Sequence, residues 1–373
     1  MTRTGFIYHE KMFWHETGTQ WMLPSGAAHL QPLLHPESSE SKRRFKNLVE
    51  ASKLSDKLAF IKPKPATRDQ IDLVHAPSYV DRVEQLSAGI GGDAGEDCPI
   101  GRGSFEYALL SSGAAICAVD AVLNQELDNA YALTRPPGHH ALPNRGFGFC
   151  VFNNISIAAH IAMRKHSLER IAIVDWDVHH GNGTEAIFHE DNRVLTISMH
   201  QDRLFPEETG QVGDSGVGEG EGCNLNIPLP AGSGHTAYLS AFRRIVIPAL
   251  NRYQPELIVV ASGLDANQFD PLGRMMATSE TYRSMTEMVM EAADRLCKGR
   301  LVLCHEGGYS EAYVPLCGLA ILEQLSGHSS GVTDPYLPSV NTPCPVAIPR
   351  HEDEAISKAE RQLARVPTPS LSQ

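Results

Sequence analysis

The chain has no C-x-x-C pair, although it carries eight cysteines, at positions 98, 117, 150, 223, 297, 304, 317 and 344. Several sit inside apolar runs, where a free thiol packs as a small hydrophobe. A disulfide framework is therefore not expected, and the usage fits a reduced, cytoplasmic protein. Basic charge is short as well: 32 Lys and Arg against 44 Asp and Glu leave a net charge of −12. That gives nucleic acid no electrostatic footprint. The one basic run, Lys42-Arg43-Arg44, reads as the solvated face of a helix. No apolar stretch reaches the length of a membrane span, and the first residues lack the apolar region of a signal peptide. The glycine-rich residues 210–222 lack the G-K-[ST] of a phosphate loop and are expected to form a mobile loop. There is no internal repeat and no linker. One domain is expected over 1–373, with a core from about 5 to 330 and a proline-rich segment, polar helix and tail from 334.

What is present is an ordinary globular composition, 42% hydrophobic and 20% charged. Short apolar runs at 6–9, 59–61, 130–134, 171–175, 194–199, 257–261 and 301–304 read as strands. Helical patterns fall at 41–51, 67–75, 77–86, 104–125, 153–165, 184–189, 234–253, 278–297 and 311–325, with T-R-D-Q at 67–70 in capping-box spacing. Hydrophobicity that is continuous along the strands, rather than alternating, indicates burial on both faces, hence an α/β fold with a parallel sheet. Residues 10–40, rich in Gly, Pro, Trp and His, are long and irregular enough to be a functional loop or a partner-binding segment.

Four of the strand candidates run into polar clusters: R-P-P-G-H-H at 135–140, D-W-D-V-H-H at 175–180, S-G-L-D-A at 262–266 and H-E-G-G-Y at 305–309. The carboxyl ends of parallel strands share one edge of the sheet, so these clusters should meet there. Asp177 and His179 stand at i and i+2 of an extended segment and leave the same face. With Asp265 they could supply three ligands and leave a fourth position open, as catalytic zinc sites do. Zinc in such a site lowers the pKa of bound water to about 7. His139 and His140 would supply acid–base chemistry near neutral pH. Tyr309, after a flexible Gly-Gly, could donate to a developing oxyanion. Asp175 either caps backbone amides or orients a histidine. His180, His189 and His200 read as structural.

Together with G-F-C-x-F-N-N at 148–154 and D-W-D-V-H-H-G-N-G-T at 175–184, these motifs resemble the zinc-dependent histone deacetylase superfamily, in its order and over about residues 5–330. They are most similar to its class II branch and the bacterial histone deacetylase-like amidohydrolases. The resemblance implies an arginase/deacetylase fold, a central eight-stranded parallel sheet sandwiched between helices. It implies hydrolysis of the acyl-amide of an acyl-lysine, on a protein, peptide or small molecule, reaching down a narrow tunnel. By motif, Asp177, His179 and Asp265 would hold zinc and His140 would be the general base. His139, oriented by Asp175, would assist, and Tyr309 would polarise the scissile carbonyl. Phe149, preceded by Gly148, and Phe205 would wall the tunnel. Asp97 would hold the substrate backbone. A structural potassium ion would sit among the carbonyls of Asp175, Asp177, His179 and Met199 and the Ser198 hydroxyl. Asn182 stands behind His140 where class I members carry aspartate, which fits class II. Relatives of this type are often dimers or tetramers, so residues 10–40, with Phe13, Trp14 and Trp21, could line the tunnel rim or meet another subunit.

The same catalytic set serves acetylpolyamine amidohydrolases. Polyamine-selective relatives place a glutamate near the tunnel mouth; here the D-P-E-G stretch reads Asp270-Pro-Leu272-Gly, which favours acyl-lysine. A two-manganese ureohydrolase would need further carboxylates where Gly181 and Asn267 stand. A binding module without turnover is disfavoured by the intact Tyr309.

Overall fold

The computed structural model describes residues 2–18, 31, 33–337 and 347–369. Trp21, Cys344 and the tip of the tail, all of which drew expectations above, lie outside them. In chain order the strands of the main sheet are β1 Thr4–Ile7, β2 Ala59–Ile61, β3 Asn129–Ala132, β4 Ile171–Asp175, β5 Val194–Gln201, β6 Asn224–Leu229, β7 Leu257–Ser262 and β8 Leu301–His305. They pair in the order β6-β5-β4-β7-β8-β3-β1-β2. Every pairing is parallel.

The continuous apolar strands have the cause expected of them. Alternate side chains leave opposite faces, and both faces are covered. Ala172, Val174, Ile258, Val260 and Leu303 enter one core with the helices Glu40–Ala51, Ser279–Cys297 and Val314–Ser326. Ile171, Ile173, Leu257, Val259 and Val302 enter the other, under the helices Ser104–Leu123 and Asn154–His166. The first of these two helices is long and apolar enough to cross a membrane, contrary to the expectation above. It mixes five alanines with Leu, Ile, Val and Phe, and most of it is packed into the core beside its partner helix.

The strand that apolar runs did not reveal is β6. Its sequence N-L-N-I-P-L alternates because it is the outermost strand: Leu225, Ile227 and Leu229 face the core. Asn224 and Asn226 turn the other way and donate to Glu185 Oε2 at 2.7 and 2.8 Å. Proline is tolerated at an edge. The same asparagines hold residues 210–222, expected to be mobile: Asn224 donates to the Asp214 carbonyl at 2.8 Å and Asn226 to that of Gln211 at 3.3 Å.

Two helices are shorter than their patterns. Thr67 and Gln70 do form a capping box, but the helix behind it is the single turn Arg68–Ile71. The long helix expected over 234–253 is interrupted by a π turn, Phe242–Val246, immediately ahead of Pro248, which has no N–H to give. The basic run also departs from expectation: Lys42 has no exposed surface.

Candidate active site

The four polar clusters meet because β4, β7, β8 and β3 are consecutive neighbours in the middle of the sheet. Their carboxyl ends frame the floor of a cavity of about 650 Å³ lined by Asp97, His140, Gly148, Phe149, His179, Leu204, Phe205, Pro271, Leu272, Arg274 and Tyr309.

At the floor, one ligand atom each of Asp177, His179 and Asp265 lie within 4.8 Å of one another, and all three residues are buried. Each carboxylate is aimed by a backbone amide: Val178 N donates to Asp265 Oδ1 at 2.8 Å and Gly307 N to Asp177 Oδ2 at 2.8 Å. A Cβ at Gly307 would collide with the carboxylates of both Asp265 and Asp177, so only glycine lets this strand end approach them. Asp265 Oδ2 lies 3.2 Å from His179 Nδ1 but makes no hydrogen bond. A buried carboxylate oxygen without a partner is costly, and the two buried carboxylates with one imidazole make a donor set for a divalent cation. The residues fit a metal ion.

Beside the cluster the two histidines are set apart electrically. His139 Nδ1 donates to Asp175 Oδ2 at 2.9 Å. Burial alone would lower its pKa, but the charges of Asp177 and Asp175 outweigh burial and push it up to about 10. Asp175 also accepts the Asp177 amide at 3.0 Å, so it caps a backbone amide and orients a histidine at once. His140 goes the other way: burial, then the positive charges of His139 and His179, hold it well below the ordinary histidine range. Its Nδ1 lies 2.7 Å from Asn182 Oδ1, an acceptor, so Nδ1 carries the proton and Nε2 keeps a lone pair. Divergent environments of this kind assign opposite roles to paired titratable groups.

Two carboxylates whose roles the sequence did not reveal hold the frame. Glu306 Oε2 accepts the amides of Gly138 and His139 at 2.6 and 3.1 Å, fixing the histidine loop to the end of β8. Asp270 Oδ2 accepts the amides of Tyr309 and Ser310 at 2.8 and 3.2 Å, and its Oδ1 that of Leu272 at 3.0 Å. Burial raises both pKa values, to about 7. Glu306 stood in plain view in E-G-G-Y and Asp270 in D-P-L-G, but neither motif says which backbone its carboxylate will meet.

Phe149 and Phe205 line the cavity walls. Gly148 sits at φ +50°, and a Cβ there would come within 2.7 Å of both His140 and Phe205. Asp97 reaches the same rim because Gly95–Glu96 pairs with Gly146–Phe147 and the Phe149 amide donates to the Asp97 carbonyl at 2.7 Å. His35, from the irregular N-terminal segment, packs its ring 4.7 Å from that of Phe149, so described parts of residues 10–40 do reach the rim. Arg274 and Leu204, at the mouth, were not anticipated. His180 is held by Thr209 and Glu185, and His200 by Ser198 and the Gly210 carbonyl, outside the cavity lining.

Comparison with known proteins agrees with this geometry. A family model for the histone deacetylase domain matches residues 35–325. A histone deacetylase-like amidohydrolase of Pseudomonas aeruginosa is 51% identical over 341 residues, 89% of this chain and 88% of that protein. A probable deacetylase of Archaeoglobus fulgidus is 36% identical over 373 residues, 97% of this chain and 96% of the other. Among solved structures, the HD domain of HDA15 superposes with a TM-score of 0.85 at 27% identity, covering 97% of this chain and 98% of that one. An eight-stranded parallel sheet of the arginase/deacetylase type, a buried donor cluster at its carboxyl edge and relatives of this similarity lead to one conclusion: the chain belongs to the histone deacetylase family and is a hydrolytic deacetylase.

Proposed function

We propose that the protein removes acyl groups, acetyl among them, from the ε-amine of acyl-lysine. The observation that carries this is the convergence, at the foot of a cavity walled by Phe149 and Phe205, of the donor cluster, the His140 lone pair and the Tyr309 side chain. Two aromatic walls suit the methylenes of a lysine side chain. The reacting amide would then lie at the floor.

Asp177, His179 and Asp265 would hold a zinc ion, which when bound supplies Lewis-acid activation of water and of the acyl carbonyl. His140 accepts at Nε2 the proton of the attacking water and passes it to the lysine nitrogen as the C–N bond breaks, releasing a carboxylic acid and the free amine. His139, held positive between Asp175 and Asp177, stabilises the negative charge that builds at the reacting centre. The Tyr309 hydroxyl bonds no described residue, and it donates to the acyl oxygen as that oxygen gains charge. A structural potassium ion would fit beside this centre. The carbonyls of Asp177 and His179 accept no hydrogen bond from a described residue, and β4 and β5 are registered with Asp175 opposite Ser198, next to Met199.

The acetylpolyamine reading is disfavoured by the mouth. Leu272 offers no charge, and Arg274, whose Nη1 donates to the carbonyls of Pro271 and Gly273, pairs with no carboxylate among the described residues. A guanidinium at the entrance repels a polycation. Among the described residues that line the cavity Asp97 is the one carboxylate, and it suits the amides of a peptide backbone.

A panel of acyl-lysine peptides and acetylpolyamines, with and without a chelator, tests the reading. Acetyl-lysine peptides should be turned over, acetylputrescine much more slowly, and chelation should abolish activity until zinc is restored. Tyr309→Phe should lower kcat by about 100-fold, the scale for losing one oxyanion donor. Faster turnover of acetylputrescine than of the peptides would reverse the substrate assignment.

A further inference from the structure

Lys42 is buried completely, and its surroundings point at the reaction. Its Nζ lies 3.2 Å from Glu37 Oε1 and donates to the Gly308 carbonyl at 3.3 Å. Ser41 Oγ donates to the same carbonyl at 2.7 Å. The ammonium stands 5.1 Å from the centre of the Tyr309 ring. Glu37 is already engaged by Arg135, whose Nε donates to Glu37 Oε1 at 3.0 Å while its other nitrogens take the carbonyls of Met12, His15 and Glu37.

Two cations thus share one carboxylate with no access to solvent. A buried charge in excess is unfavourable unless other groups draw it. For Lys42 those groups are the Gly308 carbonyl and the π face of Tyr309. On the far side of the same turn, Asp270 takes the amides of Tyr309 and Ser310. The turn that presents Tyr309 is therefore gripped from both sides: by a carboxylate on its N–H groups and by Lys42 with Ser41 on the preceding carbonyl.

We propose that Lys42 is a positioning residue for the deacetylase reaction, fixing the Gly308–Tyr309 turn and placing a cation against the phenol ring. A cation on the ring face draws electron density from it, which makes the hydroxyl a stronger hydrogen-bond donor to the acyl oxygen. This rests on the role assigned to Tyr309 above.

The test is a two-by-two cycle of Lys42→Met with Tyr309→Phe in the zinc-loaded protein, followed by kcat, KM, metal content and melting temperature. Lys42→Met leaves Glu37 and Arg135 as a balanced pair, so folding and zinc content should persist. Alone it should lower kcat by about 10-fold, with KM within about twofold, because the lost interaction matters in the transition state. In the Tyr309→Phe background it should cost no further kcat, since residues acting through one group are not additive. An equal loss in both backgrounds, or an unchanged kcat in the single variant, overturns the proposal while leaving the proposed function standing. Full activity in Tyr309→Phe itself would overturn the proposal together with the role assigned to Tyr309, leaving the hydrolysis of acyl-lysine standing. Should Lys42→Met fail to fold, Ser41→Ala removes a bond to the same carbonyl without touching charge. It should lose kcat by a smaller factor, again only when Tyr309 is present; a loss in both backgrounds counts against the proposal.

Discussion

Single residues at this site are legible where chemistry dictates their type and opaque where they act through backbone. Asp177, His179 and Asp265 could be picked out because two carboxylates and an imidazole at strand ends have few other uses. Asp175 was left between two roles, and the structure gives it both. Glu306, Asp270 and Lys42 work by binding amides and carbonyls, and nothing in a side chain's identity announces that. Lys42 in particular sat in a run of three cations whose bland reading is a solvated face; its two neighbours are partly exposed and only Lys42 turns inward. Asn182 yields a sharp prediction. It accepts the Nδ1 proton of His140 without offering charge. Asn182→Asp would stabilise the imidazolium, so the acid limb of the kcat/KM profile should move up by about one pH unit. A profile that stays in place would mean His140 is not the group whose protonation stops the reaction.

At the scale of elements, apolar runs betray strands that are buried on both faces and hide the one that is not. β6 alternates Asn with Leu and Ile because its polar side chains serve Glu185 and the neighbouring loop. The helix Arg350–Glu360 lies against this outer strand, burying Ile356 and Ala359, with Val366 just beyond. Arg244 binds Asp353 and Glu360 from the π turn, a contact that no local pattern could foresee across more than a hundred residues. The energies of these two attachments differ. Partly exposed ion pairs are worth at most about 1 kcal/mol each, whereas each large apolar side chain withdrawn from water contributes about 1.5–3 kcal/mol. Arg244→Ala, which removes two such pairs, should therefore lower the melting temperature by no more than about 3 °C. Removing residues 347–373 should cost far more and leave the core face of β6 uncovered, producing self-association visible by light scattering. Equal effects of the two changes would show that the ion pairs, not the apolar contacts, hold the helix.

The whole molecule carries a set of histidines that the fold keeps neutral. Burial, ahead of any neighbouring charge, lowers His75 and His35 to about 4 and His15 and His200 to about 3. His75 shows why: it bonds the Leu142 carbonyl through one nitrogen and accepts the Asn153 amide at the other, 2.9 Å away, which only the neutral ring can do. Between pH 4 and the ordinary histidine value of 6.5, the unfolded chain binds protons that the folded one refuses. Stability is complete above that window and falls as pH falls through it, by up to about 3 kcal/mol for a shift of this size. The urea midpoint should drop between pH 7.5 and pH 5, and His75→Gln should make the drop shallower. An unchanged slope would mean that other groups govern the acid limb.

The strands that deliver the chemistry, β4, β7, β8 and β3, occupy the four central places of an eight-strand sheet. Each is hydrogen-bonded on both sides, and two strands lie outside the set of four on either flank, so their ends belong to the part of the molecule that opens last. The rim is different: Asp97, Phe149, Phe205 and Arg274 stand on loops. Partial loosening by heat, denaturant or mutation would therefore act unevenly, blurring the choice among substrates by degrees while the capacity for hydrolysis stays whole until the fold itself is lost.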